Sequence, residues 1–388
     1  MDGMLTGDFY RFEDLLPGDE REILARTREF LRAEVAPVAN HHWNRAEFPH
    51  HLIGGFAELG LAALPYRDPA PSSLLSGFLA LEMAHADPSM ATFFGVHAGL
   101  AMGSIAACGS PEQQERWLPA MGQMEQIGAF ALTEPEGGSD VSQGMRTTAR
   151  RDGDTWVLNG AKRWIGNGTF ADLIVVWARD EADNKVKGFV VRGDNPGYAA
   201  TKIENKIALR TVQNADIRLT DCRVPEADRL QNATSFRDTA VVLRRTRSGV
   251  AWQSVGVMLA AYDIALDYAR KREQFGKPIA GFQLVQDLLV RMLGNATASL
   301  GMCVRLAQLQ DDGTYRDEHS ALAKAWCTSR MREVAGWARE LLAGNGIVLD
   351  YDIGRFVADS EALYSYEGTR EINTLVVGRA ITGHSAFV

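Results

Sequence analysis

The feature that most constrains the fold is a stretch of about 34 residues, 239–272, that reads as one unbroken helix about 50 Å long. A helix of that length draws its stability from packing along its apolar face rather than from propensity. It therefore needs long partners. Pro278 closes the region, and two further helices follow at residues 282–310 and 321–342, with a last one from about Gly368. Together they predict a four-helix bundle.

The chain upstream is helical first and then β. Asp19 with Glu22 makes a helix start signal, and Ile23, Phe30, Leu31 and Val35 recur at helical spacing until Pro37. A second helix spans about 49–59 and stops at Gly60. Apolar helices follow at about 72–85 and 89–108, and Ser110-Pro111-Glu112-Gln113 starts another, with proline at the first helical position. The pattern changes at Gly128. Residues 128–132 are short and apolar, and residues 155–158 lead into Asn159-Gly160, a two-residue hairpin signal. Residues 162–165, 172–178, 188–192, 217–219 and 222–224 also read as strands, which suggests a small β-barrel or sandwich. The expectation is a mostly α chain with a central β domain: a helical domain at 1–127, a β-barrel at 128–235 and the bundle at 236–388.

Composition removes several functions. A net charge of −8 over 388 residues argues against nucleic acid as a main partner, while permitting a local basic pocket. Cys108, Cys222, Cys303 and Cys327 form no C-x-x-C pair, which fits a reducing compartment and gives no metal signal. The histidine pairs His41-His42 and His50-His51 are adjacent in sequence and so do not face one point on a helix. The start has no apolar signal-peptide core, the end is not a peroxisomal address, and no apolar run is long enough to span a bilayer, so the expected location is cytoplasmic.

Five stretches carry candidate chemistry. In Tyr364-Ser365-Tyr366-Glu367-Gly368-Thr369, a carboxylate stands between an aromatic and a glycine. A Glu at a helix start can simply serve the helix dipole. Gly368, however, permits close backbone approach, and Tyr366 and Tyr364 can exclude water; a desolvated carboxylate is a better general base. Thr133-Glu134-Pro135-Glu136-Gly137-Gly138-Ser139-Asp140 is either an ordinary turn or a nest for phosphate and heterocycle. Trp164, in Lys162-Arg163-Trp164-Ile165-Gly166-Asn167, either caps the barrel core or stacks on a flat ring. Arg272 with Phe275, and Gly344 in Ala343-Gly344-Asn345-Gly346, lie at helix ends, where cations and glycines belong in any case. No G-x-G-x-x-G follows a strand, so nothing supports a Rossmann site.

These pieces in this order resemble the acyl-CoA dehydrogenase and oxidase superfamily over nearly the whole chain, through Leu132-Thr133-Glu134-Pro135, Gly138-Ser139-Asp140 and Tyr366-Glu367-Gly368-Thr369. Within it the sequence is similar to the glutaryl-CoA dehydrogenase group, and most to its short-chain acyl-CoA oxidase relatives, through Lys162–Asn167, Asn205–Arg210 and Ala251-Trp252-Gln253. The resemblance implies FAD and a homotetramer. It implies that Leu132, Thr133, Gly138, Ser139, Trp164, Ile165 and Gly166 meet the flavin, with Ser139 also touching CoA. Arg272, Phe275, Gly344 and Thr369 would reach FAD, the first two that of a neighbouring subunit. Arg247, Tyr366 and Gly368 would line the substrate site, and Glu367 would take the Cα proton while a hydride leaves Cβ for flavin N5.

Two departures refine this. Where glutaryl-CoA dehydrogenases carry an arginine for the distal carboxylate, this chain has Ala91, so a short neutral acyl-CoA is expected, dehydrogenated to the 2,3-enoyl-CoA with electrons passed to an electron-transfer flavoprotein. Where most dehydrogenases have Thr or Ser near flavin N5, this chain has Gly166, which is expected to leave space there and favours the alternative of an oxidase making hydrogen peroxide. A non-CoA substrate, as in nitroalkane oxidases, is disfavoured because those carry Asp as the base. A non-catalytic flavin-binding protein is disfavoured because Glu367 is retained.

Overall fold

The computed structural model describes residues 5–387. Helix α1 (Gly18–Phe30) begins at Gly18, with Asp19 and Glu20 in its first turn. It runs without a break through a π-helical turn, Leu31–Val35, into α2 (Ala36–Arg45). Pro37 therefore does not end the helix as expected. The wide π turn just before it absorbs the hydrogen bond that proline cannot make. Helix α3 (Leu52–Leu59) stops at Gly60, which is left-handed. Helix α4 (Ser73–Ala86) is capped by the Ser72 hydroxyl and α5 (Pro88–Phe94) by the Asp87 carboxylate. A second π-helical stretch, Gly95–Ala101, joins α5 to α6 (Met102–Cys108), and α7 (Pro111–Gly122) opens on the expected capping box of Ser110 and Gln113.

Two helices are, by length and composition, apolar enough to cross a bilayer, Pro88–Cys108 and Phe236–Lys271, contrary to the reading from sequence. Their apolar windows are 61% and 78% buried within the protein, which is the behaviour of core helices.

Seven strands follow: β1 (Gly128–Ala131), β2 (Thr148–Asp152), β3 (Thr155–Ile165), β4 (Leu173–Asp180), β5 (Val186–Arg192), β6 (Tyr198–Lys202) and β7 (Ala215–Pro225), with a short helix α8 (Val141–Gly144) after β1. The sheet runs β1-β4-β2-β3-β7-β6, with β5 on β4. Strand β4 is buried on both faces. Ile174, Val176 and Ala178 enter the β core, while Leu173, Val175 and Trp177 join the helical core, hence its continuous apolar sequence. The Asn159-Gly160 hairpin does not form. Those residues lie inside β3 at a register shift opposite β7, where a Cβ on Gly160 would sit 2.6 Å from the Thr147 hydroxyl. The turn instead uses Gly153 (φ 62) between β2 and β3. The two strand readings at 217–219 and 222–224 are one strand, β7.

The long helix is α9 (Phe236–Lys271), followed by α10 (Gln283–Asp311), α11 (Asp317–Leu341), α12 (Ile353–Ser365) and α13 (Arg370–Thr382). Helix α12, unanticipated as a separate element, is the apolar sequence ahead of Glu367, and with α13 it packs on α11. Helix α4 approaches α9 closely at two glycines. A Cβ on Gly77 would lie 2.2 Å from the Trp252 ring and one on Gly256 2.2 Å from the Leu81 carbonyl oxygen. The first helices and the bundle thus share one core.

Candidate active site

Between α12 and α13 the backbone takes two consecutive left-handed residues, Glu367 (φ 54) and Gly368 (φ 79). Gly368 accepts this freely, whereas for Glu367 it is a strained conformation that the surroundings must hold. The surroundings do so from three sides. Lys324 of α11 donates from Nζ to the carbonyls of Tyr364 (2.7 Å) and Gly368 (2.8 Å). Asn373 of α13 donates from Nδ2 to the Gly368 carbonyl (2.8 Å). Thr369 caps α13, its hydroxyl accepting from the Ile372 N–H.

The bend turns the Glu367 side chain back onto α9. There the Thr246 hydroxyl donates to Oε2 at 2.6 Å. Burial pushes the Glu367 carboxyl above the ordinary carboxylate range; the Thr246 bond and the charges of Arg247 and Lys324 oppose that push without cancelling it. The result is a carboxylate less comfortable ionised than in water, which is the property a general base needs. The Arg247 Nε is buried with no partner. Tyr366 points the other way, its hydroxyl donating to Gln253 Oε1 at 2.8 Å and lying 3.5 Å from the Thr92 hydroxyl. Gln253 in turn donates to the Ala91 carbonyl at 3.4 Å, and Ala91 itself is buried.

The second half of the site is the turn after β1. The fully buried Lys162 ammonium donates to the Leu132 carbonyl (3.0 Å) and to Glu134 (2.9 Å), whose carboxylate also accepts the N–H groups of Arg146 and Thr147. This pins the turn while leaving Gly138 and Ser139 exposed. The Arg163 N–H donates to the Thr133 carbonyl at 2.8 Å, so β3 brings Trp164 alongside Thr133. Trp164 is left-handed (φ 65) and 52% exposed, so it does not cap the barrel core. Ile165 and Gly166 behind it are buried.

Gly166 is tightly packed on the side where a Cβ would point. A Cβ at Gly166 would meet Val96 Cγ2 at 3.0 Å, because the π-helical stretch Gly95–Ala101 lies against it. The same stretch meets α9 on its other side, where a Cβ on Gly99 would lie 3.6 Å from Thr246 Cγ2. One π-helical turn thus stands between Gly166 and the partner of Glu367, and brings the two halves of the site together.

Arg272, Phe275 and Gly344 are not part of this grouping. Arg272 ends α9, about 37 Å along the helix axis from Arg247. Phe275 is 93% exposed beyond it, and Gly344 is exposed in the turn after α11. Within the chain these residues stand away from Glu367. Thr369, next to Glu367, has its hydroxyl engaged in capping α13. The half-exposed indole, next to the turn that carries the exposed Gly138–Ser139 backbone, fits a flat ring system joined to a phosphate.

Sequence reasoning assigned no role to Thr246, Lys324, Lys162 or Val96. Lys324 did leave a signal. It falls at the helical spacing of Ser320, Ala321, Cys327, Thr328 and Met331, a charge where the core pattern wants a small or apolar residue.

Comparison with known proteins agrees with this geometry. The N-terminal, middle and C-terminal domain models of acyl-CoA dehydrogenase match residues 17–125, 129–222 and 236–382. The mitochondrial short-chain specific acyl-CoA dehydrogenase of Mus musculus is 32% identical, the alignment covering 93% of this chain and 90% of that protein. A crystal structure of glutaryl-CoA dehydrogenase from Mycobacterium smegmatis superposes with TM-score 0.93 at 36% identity, covering 97% of this chain and 98% of the other. A glutaryl-CoA dehydrogenase from the same organism in complex with FADH2 superposes with TM-score 0.94 at 33% identity, covering 98% of each chain. The chain belongs to the acyl-CoA dehydrogenase family and is an FAD-dependent enzyme of that type.

Proposed function

We propose that this enzyme oxidises a short, uncharged acyl-CoA to its 2,3-enoyl-CoA, with Glu367 as the base. The observation that carries the reading is the Glu367 carboxyl, desolvated and held on Thr246 across one π-helical turn from Gly166. Glu367 takes the Cα proton onto its carboxylate. Its backbone N–H, which donates to no other group among the described residues, is free to receive the thioester carbonyl and stabilise enolate charge on its oxygen. Bound FAD would supply the acceptor for the hydride that leaves Cβ. Trp164 and the Leu132–Thr133 turn would hold and orient it, and Ser139 and Arg247 would serve the CoA portion.

The preference for a short, neutral acyl group rests on Tyr366, Gln253 and Ala91. The Tyr366 hydroxyl is tied to Gln253, which reaches the buried Ala91, and Ala91 offers no cation to a distal carboxylate, which would be buried unpaired. Comparing butyryl-CoA with glutaryl-CoA under identical conditions tests this, and faster turnover of glutaryl-CoA rejects it.

For the electron acceptor we favour an electron-transfer flavoprotein over oxygen. In its favour, Val96 lies 3.0 Å from where a Cβ of Gly166 would stand, which narrows the room the oxidase alternative relies on. The proposal extends to a homotetramer in the cytoplasm. In its favour are Phe275, Leu284, Val290 and Ile347, large apolar residues 69–93% exposed, and four cysteines that are all free.

A further inference from the structure

Lys324 is a charged side chain with no exposed surface, on a helix whose neighbouring core positions are small or apolar. Burying an ammonium is unfavourable unless its donors are satisfied. Here two of its three N–H donors are satisfied by the carbonyls of Tyr364 and Gly368, the residues that bracket the Tyr366-Glu367 step on either side. Neither carbonyl has a helical partner: α12 ends at Ser365 and α13 begins at Arg370. Asn373 reinforces the Gly368 end but touches nothing on the Tyr364 side. Among the described residues, Lys324 alone thus spans the left-handed bend that aims Glu367 at Thr246.

We propose that Lys324 is a positioning residue for the base: its ammonium fixes the bend that carries Glu367 and keeps the carboxylate ionised. This rests on Glu367 being the base. Burial draws the Lys324 ammonium down to about 8; the Glu367 carboxylate pulls the other way, Arg247 adds to the fall, and Glu371 opposes it. Those three, with Lys324 itself, are the charged groups that act at this point from α9, α11, α13 and the loop. At neutral pH Lys324 is therefore still mainly protonated, and its charge favours the anionic form of Glu367.

The test uses the full-length holoenzyme. Lys324→Met roughly keeps the length of the side chain and removes both hydrogen bonds and the charge. Three readings are expected. Deuterium uptake of residues 362–370 becomes faster, which needs no turnover. Flavin bleaching by butyryl-CoA slows by about 10²-fold at pH 7, the scale of loss for a base displaced by about an ångström, while KM changes little. The acid limb of the pH–rate profile moves to higher pH, because the lost cation no longer favours the carboxylate. Lys324→Gln, which retains a donor without charge, should recover part of the rate and leave the limb displaced.

A merely structural lysine would move none of the last two readings. Lys324→Met that holds FAD and bleaches at the wild-type rate with an unmoved acid limb overturns the proposal. Failure of both variants to hold FAD assigns Lys324 to the fold alone and overturns it equally. Glu367→Gln separates this from the reading beneath it: if that variant is slow and Lys324→Met is not, only the Lys324 proposal falls, and if neither is slow, the assignment of the base falls.

Discussion

Thr246→Val isolates the hydrogen bond that Thr246 gives the Glu367 carboxylate. The side chains are nearly isosteric, and the change removes an Oγ1–Oε2 contact of 2.6 Å. A hydrogen bond to a charged group contributes about 1.5–3 kcal/mol, and one pKa unit corresponds to about 1.4 kcal/mol. The bond favours the ionised carboxylate, so its loss should raise the Glu367 pKa by roughly 1–2 units. The base works when ionised, so activity is present above this pKa and lost as pH falls through it. The acid limb of the rate of flavin bleaching by butyryl-CoA should therefore shift upward by that amount, and Thr246→Ser should restore it. Stability gives the independent sign. Glu367 has a folded pKa above its unfolded value, so the fold is relieved at low pH and burdened as pH rises through the folded pKa. Thr246→Val should widen that burden near neutral pH and be close to neutral at the acid end. An unmoved acid limb in a variant that still holds FAD would refute the reasoning.

Asp359, buried on α12 and pushed up to about 7 by burial and by the charge of Asp87, predicts a second pH effect. Asp359→Asn keeps an acceptor for the Trp43 and Leu209 N–H groups, so relative to wild type it should gain more stability at pH 8 than at pH 4; equal gains in thermal unfolding at both would contradict this. Gly256→Ala drives a methyl to 2.2 Å from the Leu81 carbonyl oxygen and should destabilise the protein by about 1–3 kcal/mol, read as a lower Tm. Gly166→Ala should lower Tm because of Val96, and Val96→Ala should offset part of that loss in a double-mutant cycle; strict additivity would show that the two positions do not touch.

Much of this architecture is legible in the sequence because it follows from local patterns. The α9 repeat, the Ser110 capping box, the stop at Gly60 and the doubly buried run of β4 each form as their residues alone demand. What is not legible depends on partners distant in sequence. Asn159-Gly160 has the chemistry of a hairpin turn, but β3 is held straight through it by pairing with β7, and Gly160 is required there by the Thr147 side chain instead. Strands β2 and β6 are polar and partly exposed, so no alternation announces them. Pro37 looks like a stop because a π turn cannot be read from composition.

The site divides the same way. Glu367 and the turn around Leu132 and Thr133 are recognisable because their chemistry lies in contiguous residues. Thr246 lies 121 positions from Glu367, and Lys324 lies 40 and 44 positions from the carbonyls it holds. Gly166 shows the same limit: a missing side chain shows what is absent at one position, not what a neighbour such as Val96 brings to it.

The most direct test of Glu367 as the base is one pair of absorbance traces near the flavin band. Wild type and Glu367→Gln, both carrying FAD, are mixed with butyryl-CoA without oxygen. Wild type should bleach, and the variant should remain yellow and bleach about 10²–10⁴-fold more slowly. A Glu367→Gln protein that bleaches as fast as wild type would contradict the assignment on which the mechanism stands.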